Sequence, residues 1–206
     1  MSSNQNQCTI FIVDDDEAVR DSLRWLLEAN GYQVKCHASA EAFLNSYNPK
    51  QLAVLIVDVR MPGMSGLELQ EALLARDAKI PMVFITGHGD VPMAVNTMKK
   101  GAVDFLEKPF NEAELRSIVA RMIDIAVEDH QKELERRNHE EILARLTARE
   151  QQVLERIVAG RLNKQIAGDL DISIKTVEAH RANIMEKLEV TTVADLMKIA
   201  LAQGEE

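Results

Sequence analysis

Along the first 125 residues, short runs of apolar and β-branched residues alternate with stretches whose apolar positions recur at helical spacing. The runs are Thr9–Val13, Gln33–His37, Ala53–Val57, Met82–Ile85 and Val103–Leu106. Between them, Val19, Leu23, Leu26 and Leu27 form a helical stripe ahead of Gly31, and Leu67, Leu69, Leu73 and Leu74 form another. Five strands alternating with five helices predict a parallel, doubly wound α/β sheet. Runs apolar at successive positions, such as Val54-Leu55-Ile56-Val57, fit strands covered by helices on both faces.

Beyond the fifth run the pattern changes. Residues 111–159 contain neither Gly nor Pro, and Leu115, Ile118, Val119, Met122 and Ala126 keep a 3.6-residue stripe. The stretch Glu128–Glu141 is polar, with Leu134 its one large apolar residue. These features predict a first domain over 1–125, a helical linker over 126–145 and a small all-α domain over 146–206. The last segment shows four helical patterns, broken at Gly160–Leu162, Asp171–Ser173 and Val190–Thr191.

Composition narrows the class. Hydrophobic residues make up 46% and charged residues 28% of the 206, which excludes a disordered or fibrous chain. No apolar stretch approaches the ~18 residues of a membrane span. Met1–Gln7 is polar and uncharged, unlike an export leader, so a cytoplasmic protein without membrane association is expected. Cys8 and Cys36 have no framework or metal spacing and are assigned no site. The net charge of −9 is spread as −5, −2 and −2 over the three segments, so any nucleic-acid binding must come from a local face.

In a parallel sheet, ligands collect outside the carboxyl ends of the strands, near the switch in strand order. Asp14, Asp15 and Asp16 follow the first run, Asp58 the third and Thr86 the fourth, and Lys108 lies just past the fifth. Carboxylates ~5 Å apart at an effective dielectric of ~20 repel by ~3 kcal/mol. Such a rim must protonate a carboxylate, bind a cation, or pair with Lys108. An oxygen-only site with open positions suits Mg²⁺, with Mn²⁺ as the alternative.

Residues 9–125 resemble the receiver domain of bacterial two-component response regulators, a flavodoxin-like (βα)5 fold. The resemblance is carried by Ile12-Val13-Asp14-Asp15, Asp58-Val59-Arg60-Met61-Pro62-Gly63-Met64-Ser65-Gly66, Thr86-Gly87-His88-Gly89-Asp90 and Lys108-Pro109-Phe110. It implies that Asp58 accepts phosphoryl from a sensor histidine kinase. Asp15, Asp58 and the backbone carbonyl of Arg60 would hold Mg²⁺, with Asp14 acting through water. Lys108 would pair with the phosphoryl group, and the Lys108-Pro109 bond would be cis. Thr86 and Phe105 would carry the switch, and the Arg60 and His88 side chains would flank the phosphoryl group. The fourth helix and fifth strand would form the homodimer face.

Near the other end, Lys164–Leu170, the break Asp171–Ser173 and the stretch from Ile174 onward read as helix, tight turn, helix. Stepping 100° per residue from Val177 puts Ile184 and Leu188 on the buried stripe. Lys175, Glu178, Ala179, Ala182 and Glu186 fall opposite. Residues 146–206 resemble the LuxR-type helix-turn-helix of the FixJ/NarL response regulators, and the FixJ branch is the nearer match. The signs are Leu146-Thr147-Ala148-Arg149-Glu150, Asn163-Lys164-Gln165-Ile166-Ala167 and Ile174–Arg181. Lys175, Glu178, Ala179 and Ala182 would then face bases, and Lys164, Thr176, Arg181, Asn183 and Lys187 phosphates. Residues 161–187 carry a net charge of only +1, so one module should bind weakly and dimerisation should matter.

The reading favoured by the residues is a non-enzymatic transcription factor switched by phosphorylation of Asp58. It would activate transcription on a double-stranded operator, together with RNA polymerase. Two alternatives stand beside it. One is a phosphorelay receiver whose C-terminal helices bind protein. The other is an aspartyl-phosphate phosphohydrolase built on the Asp14-x-Asp16 pair.

Overall fold

The computed structural model describes residues 8–87 and 91–201 of the chain. They divide into two compact units at residues 130 and 131.

The first unit holds strands β1 (Thr9–Val13), β2 (Gln33–His37), β3 (Ala53–Asp58), β4 (Met82–Thr86) and β5 (Asp104–Glu107). All pair in parallel, in the order β2-β1-β3-β4-β5. Helices α1 (Glu17–Glu28), α2 (Ala40–Ser46), α3 (Gly66–Ala75), α4 (Val91–Lys99) and the start of α5 (Glu112–Leu143) alternate with the strands. The side-chain period of two sorts each strand between two cores. Ile10, Ile12, Val54, Ile56, Val83 and Ile85 pack with Leu23 and Leu27 of α1 and with Leu115, Ile118, Val119 and Met122 of α5. Phe11, Val13, Leu55, Val57 and Phe84 pack instead with Phe43 of α2 and Leu69 and Leu73 of α3. The inner strands therefore read as unbroken apolar runs, while the edge strand β2 is partly exposed.

Three strands differ from the sequence reading by one residue at an end. Asp58 and Thr86 are the last residues of β3 and β4 instead of following them, and β5 begins one residue later than expected. Backbone bonds explain the first two. Val59 N–H donates to Ile85 at 3.2 Å and Lys108 N–H donates to Thr86 at 2.8 Å, carrying the ladder past both residues.

The polar stretch after residue 126 continues α5, a helix of 32 residues. Without Gly or Pro to end it, the helix is supported by pairs of Arg136 with Glu133 and Glu140, and of Arg137 with Glu133, at three- and four-residue spacing. The second unit adds α6 (Ala148–Val158), α7 (Asn163–Asp169), α8 (Ile174–Lys187) and α9 (Val193–Leu201). Their core is Val153, Ile157, Ile166, Val177, Ile184, Leu188 and Leu196, and Ile142 and Leu143 at the end of α5 already pack on it. No helix among the described residues is long and apolar enough to cross a membrane.

Candidate functional site

The sheet registers bring the acidic rim together. Val13 pairs with Val57, so Asp14 and Asp58 emerge side by side from neighbouring strands at the point where the strand order reverses. Asp58 and Asp14 are both buried. Lys108 bridges them, its Nζ donating to Asp14 Oδ2 at 2.9 Å and to Asp58 Oδ1 at 3.0 Å. The other Asp58 oxygen accepts from Arg60 N–H at 2.6 Å. Burial pushes the Asp58 carboxyl up, and the Lys108 ammonium and the Arg60 N–H offset this only in part, with the Asp14 charge adding to the rise. Burial pulls Lys108 down, but bonds to Asp14 and Asp58 and their charges outweigh it and hold the ammonium above its usual range.

The remaining rim residues fall as follows. Asp15 is exposed, Thr86 is buried, and Phe105 is half-buried beside Phe84 in the second core. The Arg60 side chain is exposed, and the Lys108-Pro109 bond is cis. His88 lies outside the described residues. Asp16 is not a pocket residue: its carboxylate caps α1, accepting from Ala18 N–H at 2.8 Å and Val19 N–H at 3.4 Å.

Three further residues shape the rim, two of which, Arg20 and Glu41, lie outside every motif of the sequence reading. Arg20 on α1 donates from one nitrogen to the carbonyls of Asp14 and Asp15, at 2.8 and 2.9 Å, and so fixes the loop that carries them. Glu41 on α2 accepts from Met64 N–H at 2.9 Å and so tethers the loop after β3. Gly66, the first residue of α3, lies so close to β3 that a Cβ would fall 2.2 Å from the Asp58 carbonyl oxygen. Glycine here allows close approach of two backbones.

In the second unit, α8 starts at Ser173, whose hydroxyl accepts from Thr176 N–H at 3.0 Å. The turn before it passes through Asp171 at a φ of 52°, which Asp tolerates better than most residues. Val177, Ile184 and Leu188 are buried, while Lys175, Thr176, Glu178, Ala179, Ala182, Asn183 and Glu186 are exposed, as the 100° stepping requires. Lys164 at the start of α7 is exposed and Arg181 is half-buried. Lys187 differs from expectation. Its ammonium donates at 2.7 Å to Glu150 Oε2, so it fastens the end of α8 to the start of α6 instead of standing free for a phosphate. Glu150 is itself buried and closes a capping box with Thr147, 37 residues from Lys187, a pairing no local pattern announces.

Comparison with known proteins follows the same division. Residues 10–120 match the family described as response regulator receiver domain, and residues 144–200 match the bacterial regulatory proteins of the luxR family. The chain belongs to the response regulators. This regulator is 46% identical over 195 residues to the transcriptional regulatory protein FixJ of Azorhizobium caulinodans, covering 95% of its own length and 92% of that protein. It is 45% identical over 190 residues to the response regulator protein TodT of Pseudomonas putida, covering 92% and 84%. Among solved structures, the response regulator StyR superposes with a TM-score of 0.85 at 46% identity, over 94% of the regulator and 98% of StyR. Full-length FixJ from B. japonicum gives 0.56 at 40% identity, over 95% and 97%. With both modules matched, the regulator is a transcriptional regulator of a two-component system.

The donor set of the rim is hard oxygen throughout: the carboxylates of Asp14, Asp15 and Asp58 and the Arg60 carbonyl. Among the described residues no three His, Cys, Asp or Glu side chains are grouped around one point. Mg²⁺ does not need three, because it is commonly held by one or two carboxylates, with water and phosphate oxygens completing its shell. The residues present therefore fit that ion.

Proposed function

We propose that Asp58 is the phosphoacceptor of this regulator and that its phosphorylation controls DNA binding by α8. The single observation that carries the reading is the Asp58 carboxylate, buried at the end of β3 and held between the Lys108 ammonium and the Arg60 N–H. One Asp58 oxygen attacks the phosphorus of a phosphohistidine on a sensor kinase, the P–N bond breaks, and the imidazole leaves after taking up a proton. Lys108 follows the developing charge, since it already reaches Asp58. Asp15, Asp58 and the Arg60 carbonyl would hold Mg²⁺, or Mn²⁺ in its place, with Asp14 in support. When bound, the ion neutralises charge on the transferring phosphoryl oxygens.

Thr86, one strand away from Asp58, then draws the loop after β4 toward the phosphoryl group, and Phe105 moves into the space released. Arg60 flanks the group and tunes its lifetime. This reshapes the α4 and β5 face, where two copies join. Lys175, Glu178, Ala179 and Ala182 meet base edges, while Lys164, Thr176, Arg181 and Asn183 meet phosphates of a double-stranded operator. The outcome of this reading is activation with RNA polymerase in the cytoplasm; the relatives called transcriptional regulatory proteins support its regulatory part.

Incubation with acetyl phosphate and Mg²⁺, followed by intact mass, tests the assignment. Wild type should gain one phosphoryl group and Asp58→Asn none. Uptake by Asp58→Asn at the wild-type level refutes it. Footprinting of a genomic fragment pool by the phosphorylated protein then tests the DNA half through site-selective, salt-sensitive protection.

A further inference from the structure

The three rim carboxylates are held in place unequally. Asp14 is fixed on both oxygens, Oδ1 accepting from Asp16 N–H at 2.9 Å and Oδ2 from Lys108 at 2.9 Å. Asp58 is fixed on both of its own, by Lys108 and by Arg60 N–H. Among the described residues the Asp15 carboxylate accepts no hydrogen bond, and Asp15 is exposed on the bend formed by residues 14–16. What holds Asp15 is its main chain. Its carbonyl accepts from an Arg20 guanidinium nitrogen at 2.9 Å, and the same nitrogen serves the Asp14 carbonyl at 2.8 Å. A terminal guanidinium nitrogen carries two hydrogens, one for each carbonyl.

The fold places Arg20 for this task. It precedes Leu23 by three residues and Leu27 by seven, so it shares the face of α1 that those two bury against the sheet, and it is itself half-buried. Helical side chains lean toward the amino end of their helix, and Arg20 accordingly reaches back over the first turn of α1 to the bend. We propose that Arg20 is a positioning residue for divalent-metal binding: by clamping two consecutive carbonyls it presets the Asp15 carboxylate at the rim, and so sets the Mg²⁺ concentration at which Asp58 becomes reactive. The proposal rests on the reading of Asp15 and Asp58 as ligands of the ion. It runs against simple electrostatics, because a guanidinium near a cation site repels the cation, and removing that charge alone would tighten Mg²⁺ binding. Removing the clamp instead spreads Asp15 over several orientations, and the apparent affinity falls with the fraction that can bind. The two effects have opposite signs.

Mg²⁺ alone, titrated into the full-length unphosphorylated protein and followed at the amides of Asp15 and Val59 by NMR, measures the affinity. Arg20→Met keeps a helix-forming side chain of similar reach without its donors, and its Mg²⁺ affinity should fall ~10- to 100-fold, the usual cost of removing a group that orients a metal ligand. Labelling of this variant by acetyl phosphate should be slow at the Mg²⁺ level that half-saturates the wild type and should recover as Mg²⁺ is raised in proportion, which a pocket damaged throughout would not do. Wild-type or tighter affinity in Arg20→Met, or labelling that stays slow once Mg²⁺ saturates, overturns the proposal. Asp15→Ala separates the clamp from the reading beneath it. That variant should also bind Mg²⁺ weakly, and adding Arg20→Met to it should weaken binding little further, since Arg20 acts through Asp15. Additive losses in the double variant, or a weakened Asp15→Ala beside an unaffected Arg20→Met, overturn the clamp alone. Wild-type affinity in Asp15→Ala removes Asp15 as a ligand and the proposal with it.

Discussion

Replacing Glu150 by Gln separates two jobs that one carboxylate performs. Its Oε2 accepts from Thr147 N–H at 2.7 Å, from the Thr147 hydroxyl at 2.9 Å and from Lys187 at 2.7 Å. Glutamine at this capping-box position can still serve Thr147, so the substitution removes mainly the charge facing Lys187. The Lys187 bond, followed by the Thr147 N–H, holds the Glu150 carboxyl down at about 2 against an ordinary 4.5. At ~1.4 kcal/mol per pH unit the difference sets a ceiling of ~3 kcal/mol. Lys187 is 36% exposed, so water screens the pair and about 1–2 kcal/mol is the expected loss at pH 7. A carboxyl lowered on folding stabilises fully above its unfolded value and loses that contribution as pH falls through its folded value. The deficit of Glu150→Gln should therefore hold from pH 7 to about 4.5 and shrink toward zero near pH 2. Urea unfolding of the full chain, read from the NMR intensities of Val153 and Ile184, measures it at each pH. Lys187→Met should show the same deficit, and the double variant little more than either single one. A Glu150→Gln protein as stable as wild type at pH 7, or a deficit unchanged between pH 7 and pH 3, refutes the reasoning.

Two other substitutions probe the two functional faces. Gly66→Ala puts a methyl 2.2 Å from the Asp58 carbonyl oxygen and forces about 1 Å of backbone movement beside the proposed phosphoacceptor. It should slow labelling by acetyl phosphate ~10- to 100-fold and cost ~1–3 kcal/mol in thermal unfolding; an unchanged labelling rate contradicts the close approach. Lys175→Ala should weaken operator binding by ~5- to 150-fold in a gel-shift titration and leave Asp58 labelling intact, whereas joint loss of both would contradict separable modules.

Much of this was legible in the chain because two strong periodicities dominate it. Strands buried on both faces, such as Ala53–Asp58, show as unbroken apolar runs, and α8 shows its buried stripe at Val177, Ile184 and Leu188. The acidic rim was legible because its members sit at strand ends, where a parallel sheet gathers them. Contacts set by long side chains across large sequence separations were not. Lys187 looks like any basic residue on an exposed helix face until Glu150 is brought beneath it by the packing of α6 on α8. The same holds for Arg20, whose reach to the Asp14 and Asp15 carbonyls depends on where α1 leaves its loop. Asp16 misled for a different reason. Asp serves equally as a ligand and as a helix cap, and only backbone geometry distinguishes the two.

The Glu41–Met64 hydrogen bond ties α2 to the segment immediately downstream of Asp58. A disturbance at Asp58 thus has a route toward the flank of the sheet remote from α4 and β5. A fluorophore or spin label on the outer surface of α2 would register the chemical state of Asp58 without obstructing the α4 and β5 face proposed for dimerisation, giving a reporter that does not compete with the event it follows.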